Sequence, residues 1–317
     1  MRRIGDAVTL HRKHGAAVVA PTQGRVSMKS GAVAKAALAA EPSGSPTSAL
    51  AIQNLSMRFE TSEGPVTAVD DMSFDVPVGS FVSLIGPSGC GKSTVFNIVG
   101  GLLTGHAGSV RVGAETVAGP HRAIGMVFQE ESTFPWRTVI DNVAFPLEIS
   151  GIGRDERHEQ ARHFINMVGL HGFERRYPSE LSGGMRQRVA IARTLAFQPS
   201  ILLMDEPFAA LDEQTRLLLG DKILQIQQDL KQTTMLITHN ITEAVQLSDR
   251  IVVMTYRPGK VKRIIDVDLP RPRTSEVITS TAFGAYVAEV WNDLREEASR
   301  GMADAESASQ MRPSRRS

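Results

Sequence analysis

Short apolar runs of strand length alternate along most of the chain with segments whose apolar residues recur every three or four positions. Three of the runs, Phe81–Ile85, Ile201–Met204 and Thr234–Thr238, contain no charged residue. Strands that are buried on both faces of a parallel sheet have this composition. The alternation therefore predicts an α/β fold with a largely buried parallel sheet.

The middle of the chain has a helical pattern. Ala161, Phe164, Ile165 and Val168 lie at positions i, i+3, i+4 and i+7, and Gly169 follows where such a helix would end. A second apolar helix is predicted over residues 95–103. We therefore expect a helical subdomain, near residues 132–184, between two strand-rich parts, the first of which contains an antiparallel region.

The two ends of the chain differ from this central domain. Residues 1–48 are rich in Ala, Gly, Ser, Pro and basic side chains and predict a disordered basic extension, although an organelle transit peptide has a similar composition. The polar residues 299–317 predict a flexible tail. The globular domain is expected to occupy residues 49–298.

Charge and cysteine content exclude several classes of protein. The chain has 35 Lys and Arg against 34 Asp and Glu, and its first 40 residues hold seven of the basic residues but one acidic residue, so the remainder is mildly acidic. Nucleic acid is therefore not an expected partner. The single cysteine excludes an intrachain disulfide, and no apolar stretch reaches the roughly 18–20 residues of a membrane-spanning helix. We expect a cytoplasmic protein.

A glycine-rich segment between the first apolar run and the helix after it has the pattern G-x-x-x-x-G-K-[ST] of a phosphate loop. Glycines allow successive N–H groups to converge on phosphate oxygens, and the helix N-terminus adds its dipole. Lys92 would contact the β- and γ-phosphates, and the Ser93 hydroxyl would bind Mg²⁺. The predicted nucleotide-binding residues of the loop are Gly86, Pro87, Ser88, Gly89, Cys90, Gly91, Lys92, Ser93 and Thr94.

Two carboxylates, Asp205 and Glu206, directly follow the second apolar run. The carboxyl ends of parallel strands form the edge at which open α/β sheets bind their ligands. Asp205 at this edge suits a hydrated Mg²⁺, and Glu206 suits the orientation or deprotonation of an attacking water. Acidic residues that begin a solvated loop would be the simpler explanation if this pair stood alone.

Further segments resemble the motifs of the ATP-binding-cassette (ABC) ATPases, in the order of that family, over roughly residues 50–290. Leu181–Arg188 is similar to the LSGGQ signature, with Met185 in place of the usual Gln, and Gln129 resembles the Q-loop glutamine. Asp212 resembles the D-loop aspartate, and His239 the switch histidine. The resemblance implies a P-loop NTPase core with an antiparallel β region and an inserted helical subdomain.

The resemblance also implies roles for these residues. The catalytic group would comprise Glu206, His239, Gln129 and Lys92, and Mg²⁺ would be bound by Ser93, Gln129 and Asp205. Signature residues Ser182, Gly183 and Gly184 would contact the γ-phosphate bound to the other subunit, and Asp212 would reach across the dimer interface. Phe59 would stack on adenine, although a strand-core Phe is the alternative, just as a helix N-cap is for Asp212.

One cassette without membrane helices is typical of an ATPase subunit that serves a separate permease. Segments 130–143, 257–259 and 268–273 are similar to ATPase subunits of nitrate, sulfonate, taurine and bicarbonate importers. The implied partners are a second copy of the chain, a membrane permease and an extracytoplasmic solute-binding protein, with ATP and Mg²⁺ as ligands. The implied location is the cytoplasmic face of the inner membrane. Phe134 and Trp136 would contact the permease or pack within the helical subdomain.

Two other functions remain open at this point, namely a cytosolic ABC ATPase that drives a complex without moving solute, and a small-molecule kinase or GTPase. The signature segment and the lack of an N-K-x-D motif disfavour the latter.

Cys90 is expected to be a small residue that the loop accepts. Its place near a helix N-terminus and Lys92 also raises the expectation of a lowered thiol pKa and inhibition by N-ethylmaleimide.

Overall fold

The structure is a computed structural model that describes residues 48–62, 64–130, 132–209 and 211–310. The predicted basic extension lies outside the described residues, apart from Ser48, which begins the first strand. The strands of the described residues are β1 (Ser48–Thr61), β2 (Gly64–Pro77), β3 (Phe81–Ile85), β4 (Ala107–Val112), β5 (Glu115–Thr116), β6 (Ile124–Val127), β7 (Ile201–Asp205), β8 (Thr233–Thr238), β9 (Arg250–Met254) and β10 (Val261–Asp266).

Helices occupy the segments between and after these strands. The α-helices of the described residues are α1 (Lys92–Val99), α2 (Val139–Val143), α3 (Phe145–Ile149), α4 (Arg154–Met167), α5 (Gly183–Ala196), α6 (Glu213–Leu230), α7 (Ile241–Leu247) and α8 (Thr281–Gln310). Short 3₁₀ helices span Pro178–Glu180 and Ser275–Thr279. None of the helices in the described ranges is long and apolar enough to cross a membrane.

The strands form two sheets. An antiparallel sheet has the order β2-β1-β4-β5, and a second sheet has the order β10-β9-β3-β8-β7-β6. Within the second sheet, β9, β3, β8, β7 and β6 pair in parallel, and β10 adds to the edge as an antiparallel strand. The prediction of a parallel α/β sheet with an antiparallel region near its start is confirmed.

Both faces of the parallel sheet are covered, which explains the uninterrupted apolar runs. Along β7, Leu202 and Met204 pack into the cluster formed with the helical subdomain, whereas Ile201 and Leu203 pack into the cluster formed with the antiparallel sheet. Every residue of β3, β7 and β8 is buried. Because both faces are buried, these strands show no alternation of polar and apolar residues.

The helical subdomain contains α2, α3, α4 and the start of α5. The predicted helix around residues 161–168 corresponds to α4, which ends at Met167 with Val168 as its C-cap, and Gly169 follows with a φ of +70°. The helix predicted over residues 95–103 is α1, but it starts at Lys92 and ends at Val99. The helix begins earlier because the phosphate loop continues directly into its first turn. It ends earlier because Gly101 takes a φ of +73°.

The C-terminal segment also differs from the prediction. Residues 299–310, expected within a flexible tail, continue α8. Buried Glu297 holds this part of the helix, because it pairs with Lys262 at 2.9 Å and accepts a hydrogen bond from the backbone N–H of Tyr256 at 3.0 Å. Gly301 lies against the Tyr256 ring. These contacts join positions about 40 residues apart, so local composition does not reveal them.

Candidate active site

The phosphate loop connects β3 to α1 at the carboxyl edge of the parallel sheet. Gly89 and Gly91 have φ values of +76° and +100°, in the left-handed region that glycine tolerates best. A Cβ atom at Gly91 would lie 2.7 Å from the carbonyl oxygen of Ala68, so a larger residue would also clash. The spacing of glycines in the motif therefore reflects backbone geometry, and it leaves the N-terminus of α1 free to face an anion.

Lys92, the first residue of α1, is buried with its ammonium group directed back onto the loop. Its Nζ donates hydrogen bonds to the carbonyl oxygens of Gly86 and Pro87, both at 2.9 Å. No acidic side chain is among these two acceptors, so the ammonium charge remains available to a phosphate that enters the loop.

Asp205 ends β7 beside this loop, near the side chains of Lys92 and Ser93. Burial raises the pKa of Asp205 to about 6, and the adjacent Glu206 carboxylate acts in the same direction, whereas Lys92 and Ser93 oppose both effects. The Ser93 hydroxyl and the Asp205 carboxylate are oxygen ligands of the kind that Mg²⁺ prefers, and a divalent cation would relieve the carboxylate repulsion. The two side chains therefore fit a Mg²⁺ ion.

Glu206 lies between two of the other predicted site residues. Gln129 Nε2 donates a hydrogen bond to one Glu206 carboxylate oxygen at 3.2 Å, and His239 Nδ1 lies 3.1 Å from the other. These residues follow the neighbouring strands β6, β7 and β8, which explains why positions far apart in sequence meet. The convergence places a carboxylate, an amide and an imidazole around one point at the sheet edge.

The backbone at Glu206 is also unusual. Its φ of +44° is rare for a residue with a side chain, and its N–H donates to the carbonyl oxygen of Ile237 on β8 at 2.8 Å. The main chain of Glu206 is thus bonded to β8, and its side chain contacts His239, the residue that follows β8. Backbone strain of this kind often accompanies functional sites.

The signature segment begins helix α5 as predicted. Ser182 caps the helix by accepting a hydrogen bond from the Met185 N–H at 3.3 Å, and Gly183 and Gly184 form its first turn. The side chain of Leu211 occupies the space that a Cβ on Gly184 would fill. The signature therefore packs against the D-loop of the same chain. The inward positions of the helix that the pattern predicted are buried, namely Val189, Ala192 and Leu195.

For Asp212 and Phe59, the structure is compatible with both of the roles that the sequence suggests. Asp212 is the N-cap of α6 and accepts a hydrogen bond from the Thr215 N–H at 2.9 Å, so the local reading describes its contacts within the chain. Phe59 is partly buried and packs against the core cluster of the antiparallel sheet. Contacts of Asp212 with a partner and of Phe59 with adenine stay predictions.

The expectation of a lowered thiol pKa at Cys90 is wrong, whereas a small residue that the loop accepts fits the structure. The side chain is buried and its sulfur lies 3.9 Å from that of Met254. Burial raises the pKa of the Cys90 thiol, and this effect outweighs the opposing influence of Lys92. Proximity to a lysine and a helix N-terminus lowers a thiol pKa only when burial does not dominate.

Two residues that sequence reasoning did not place hold the site from outside. Gln187 of α5 donates to the carbonyl oxygen of Phe128, next to the Q-loop glutamine, at 3.2 Å. Arg257 donates through Nε to the carbonyl oxygen of Gly89 in the phosphate loop at 2.9 Å. These bonds span 59 and 168 positions. Gln187 lies in the signature segment and Arg257 in the importer-like segment 257–259, but neither pattern indicates which backbone carbonyl the side chain contacts.

Comparison with known proteins agrees with this arrangement. Residues 69–209 match the sequence profile of the ABC transporter family. The nitrate import ATP-binding protein of Synechocystis is 41% identical over 252 residues, which cover 78% of this chain and 95% of the relative. An aliphatic sulfonates import ATP-binding protein of Bacillus cereus is 42% identical over 226 residues, covering 71% and 88%.

A solved structure has the same fold. It is the dimeric, post-hydrolysis state of an ATP-binding cassette bound to ADP and phosphate, with a TM-score of 0.64 and 30% identity over 70% of this chain and all of that one. The phosphate loop, the paired carboxylates and the match to importer ATP-binding proteins lead to one conclusion. This chain belongs to the ABC transporter family, as an importer-type ATP-binding protein that hydrolyses ATP.

Proposed function

We propose that this chain is the ATP-hydrolysing subunit of an importer of the nitrate, sulfonate or taurine type, and that it acts as a head-to-tail homodimer on a separate membrane permease. The observation that carries the proposal is the convergence of Gln129, Glu206 and His239 beside the phosphate loop. The names of the two importer relatives support the transport class. The complete system would include an extracytoplasmic solute-binding protein, and the chain would lie at the cytoplasmic face of the inner membrane.

The hydrolytic step follows from the site residues. The loop N–H groups and Lys92 bind the phosphates of ATP, and His239 donates a hydrogen bond to the γ-phosphate. Glu206 orients the attacking water and accepts its proton as the bond to the γ-phosphorus forms and the bond to the bridging oxygen of ADP breaks. Ser93, Gln129 and Asp205 would hold a Mg²⁺ ion, which would supply positive charge to neutralise the phosphates.

The dimer explains the signature segment. A helix N-terminus begun by Ser182, Gly183 and Gly184 offers N–H groups and a dipole to an anion, and the γ-phosphate on the partner subunit would be that anion. Asp212 would reach across the same interface. The dimeric state of the similar solved cassette supports this arrangement. Closure of the dimer on ATP and its release after hydrolysis would drive the permease between conformations.

The permease would bind an aromatic surface on the helical subdomain. Phe134 packs between Trp136 and Phe145, with ring centroids 5.7 and 4.7 Å away, and the Arg193 guanidinium lies 4.9 Å from its ring. Trp136, by contrast, is 71% exposed. Phe134 is therefore better explained by packing within the subdomain, and Trp136 by a role as an anchor for a partner.

The hydrolytic assignment is tested by Glu206→Gln, with Glu60→Gln as a control at a solvent-exposed carboxylate on β1. We expect the first variant to hydrolyse ATP roughly 10²–10³ times more slowly while it binds ATP normally, as for loss of one preorganised transition-state group. The control should match the wild type. Wild-type turnover in Glu206→Gln would remove Glu206 from its role.

The transport assignment needs a separate experiment. We expect Glu206→Gln, purified with ATP from detergent-solubilised membranes, to bring with it a multi-helix permease that mass spectrometry identifies. Recovery of soluble proteins alone would favour an ABC ATPase that drives a non-transport complex. The hydrolytic assignment would stand in that case, but the transport assignment would not.

A further inference from the structure

Arg216, in the first turns of α6, connects three groups through its guanidinium. Nη2 donates to the carbonyl oxygen of Leu211, the residue before Asp212, at 3.1 Å. Nη1 donates to Glu213 at 2.9 Å, and Nε lies 3.3 Å from a carboxylate oxygen of Glu243 on α7. One side chain therefore holds the main chain of the D-loop and a carboxylate of the next helix.

Glu243 continues this chain of contacts to the switch histidine. Its second carboxylate oxygen accepts a hydrogen bond from the Thr238 hydroxyl at 2.5 Å, and that hydroxyl accepts one from the Asn240 N–H at 3.0 Å. The Asn240 side chain in turn caps α7 by accepting from the Glu243 N–H at 3.2 Å. His239 lies between Thr238 and Asn240, so both of its neighbours are tied to Glu243.

The position of His239 depends on this turn. Its imidazole is 61% exposed and its described side-chain contact is the one with Glu206. A side chain with so little packing around it is oriented chiefly by the backbone that carries it. Glu243, by contrast, is almost fully buried, and a buried carboxylate costs free energy unless it is paired.

We propose that Arg216 and Glu243 are positioning residues that couple the D-loop to the switch histidine. A displacement of the D-loop, such as docking of a second copy of this chain would cause, would move the Leu211 carbonyl and, through Arg216, Glu243 and Thr238, the turn that sets His239 against Glu206. The inference rests on the proposed roles of Glu206 and His239. It adds a path by which one subunit's interface reports to its own hydrolytic site.

The alternative is that the ion pair only holds α6 against α7. The two helices share a second polar contact, in which Gln246 Nε2 donates to Asp221 at 2.9 Å and which touches neither loop. Gln246 is buried as well. Gln246→Met is therefore a matched control, because it removes a buried polar link between the same helices and leaves the D-loop and the histidine turn intact.

The test compares Arg216→Lys, Glu243→Gln and Gln246→Met. Lysine keeps the charge but its single ammonium does not reproduce the guanidinium fork that spans Leu211 and Glu243. We expect kcat at saturating ATP to fall about tenfold in the first two variants, as small displacements of reacting groups do, with ATP affinity within about twofold of wild type. Gln246→Met should lower Tm and leave kcat near wild type.

A second pair of variants separates the hydrogen bond from packing. Thr238→Val keeps the shape of the buried side chain and should lower kcat, and Thr238→Ser keeps the hydroxyl and should restore most of it. This pair also decides the matter if Arg216→Lys does not fold. The coupling would be overturned if the loss of kcat were proportional to the fall in Tm in all variants, Gln246→Met included.

The experiment distinguishes this inference from the proposed function. Glu206→Gln, measured alongside, reports on the hydrolytic site itself. An inactive Glu206→Gln together with a fully active Arg216→Lys and Thr238→Val would refute the coupling alone. A fully active Glu206→Gln would refute the site on which the coupling rests.

Discussion

The carboxylates at the edge of the parallel sheet and those in the helical subdomain are held in opposite ways. Asp205 ends a buried strand beside Glu206, and burial followed by that second charge raises its pKa to about 6. Burial alone would raise the pKa of Asp141 too, but hydrogen bonds from Thr138 and His158 outweigh it and lower the pKa. The helical subdomain stabilises the charged form of Asp141, whereas at the sheet edge the charged forms of Asp205 and Glu206 repel each other.

The difference shows where ligand binding is built into the fold. Free energy is lost by holding Asp205 and Glu206 together, and phosphate and cation chemistry gives a reason for keeping them there. The helical subdomain shows the reverse pattern, because its Asp141 is paired and its apolar Trp136 is largely exposed. Under the proposed function, chemistry and permease binding would be separated between the two regions.

Lys92→Ala should break the sheet-edge site most severely. The Lys92 ammonium group is directed onto the loop, where it donates hydrogen bonds to the carbonyl oxygens of Gly86 and Pro87. Removal of the side chain therefore removes the main positive charge that the loop offers to the phosphates. We expect ATP affinity to fall by roughly 10²-fold, as when a buried charged contact is lost. Fluorescent nucleotide titration measures the affinity, with the exposed Lys222→Ala as control. Unchanged affinity would contradict the assignment of the phosphate loop.

Asp205→Asn and Asp141→Asn should change stability in opposite directions when metal and nucleotide are removed with EDTA. The native pKa of Asp205 is raised, so at pH 7.5 its charge destabilises the fold, and Asp205→Asn should raise the free energy of unfolding by about 1–3 kcal/mol. Asp141→Asn should lower it, because the charged form is the one that Thr138 and His158 stabilise.

The pH dependence gives the control for these two variants. Between about pH 4 and pH 6 the native protein binds more protons at Asp205 than the unfolded chain does, so this residue makes stability rise as pH falls through that window. Asp205→Asn should remove that rise. Destabilisation by Asp205→Asn at pH 7.5 would show that the carboxylates are satisfied at the sheet edge as they are in the subdomain.

Trp136→Ala sharpens the comparison from the other region. We expect ATP hydrolysis by the isolated protein to remain near the wild-type rate and binding to the permease to weaken about tenfold, the effect of losing one aromatic anchor. Trp291→Ala is the matched control, because Trp291 is 53% exposed on α8, far along the chain from the subdomain. Equal loss of permease binding in the two variants would argue against a local anchor.

Most of the fold and the site residues could be predicted because their signals are local. Strands buried on both faces are apolar throughout, and Lys92, Asp205, Glu206 and His239 each follow such a strand closely in sequence. The residues that connect these motifs could not be predicted in this way. Arg257 meets the phosphate loop from 168 positions away, and its segment 257–259 resembles importer ATPase subunits without indicating that contact.

The structure differs from the expectations for residues 299–310 and for the thiol pKa of Cys90 for related reasons. Composition predicts flexibility after residue 298, but contacts of Glu297 with Lys262 and Tyr256 extend α8 to Gln310. The pKa of Cys90 depends on how deeply the loop buries it, and a sequence motif does not specify burial. In both cases the deciding quantity is a tertiary environment.

The smallest effect is expected from alkylation of Cys90. Because burial raises the pKa of this thiol, its thiolate fraction at pH 7.5 is below that of an ordinary cysteine, and the enclosed sulfur is also sterically protected. N-ethylmaleimide should therefore leave the ATPase of the native protein almost unchanged over minutes, yet label the same cysteine quickly in denaturant. Mass spectrometry of the intact chain measures both rates. Rapid native labelling with loss of activity, abolished by Cys90→Ser, would mean that the phosphate loop opens readily. The sheet edge would then be the more mobile of the two regions, and the raised pKa of Asp205 would describe a closed form that exchanges with a better solvated one.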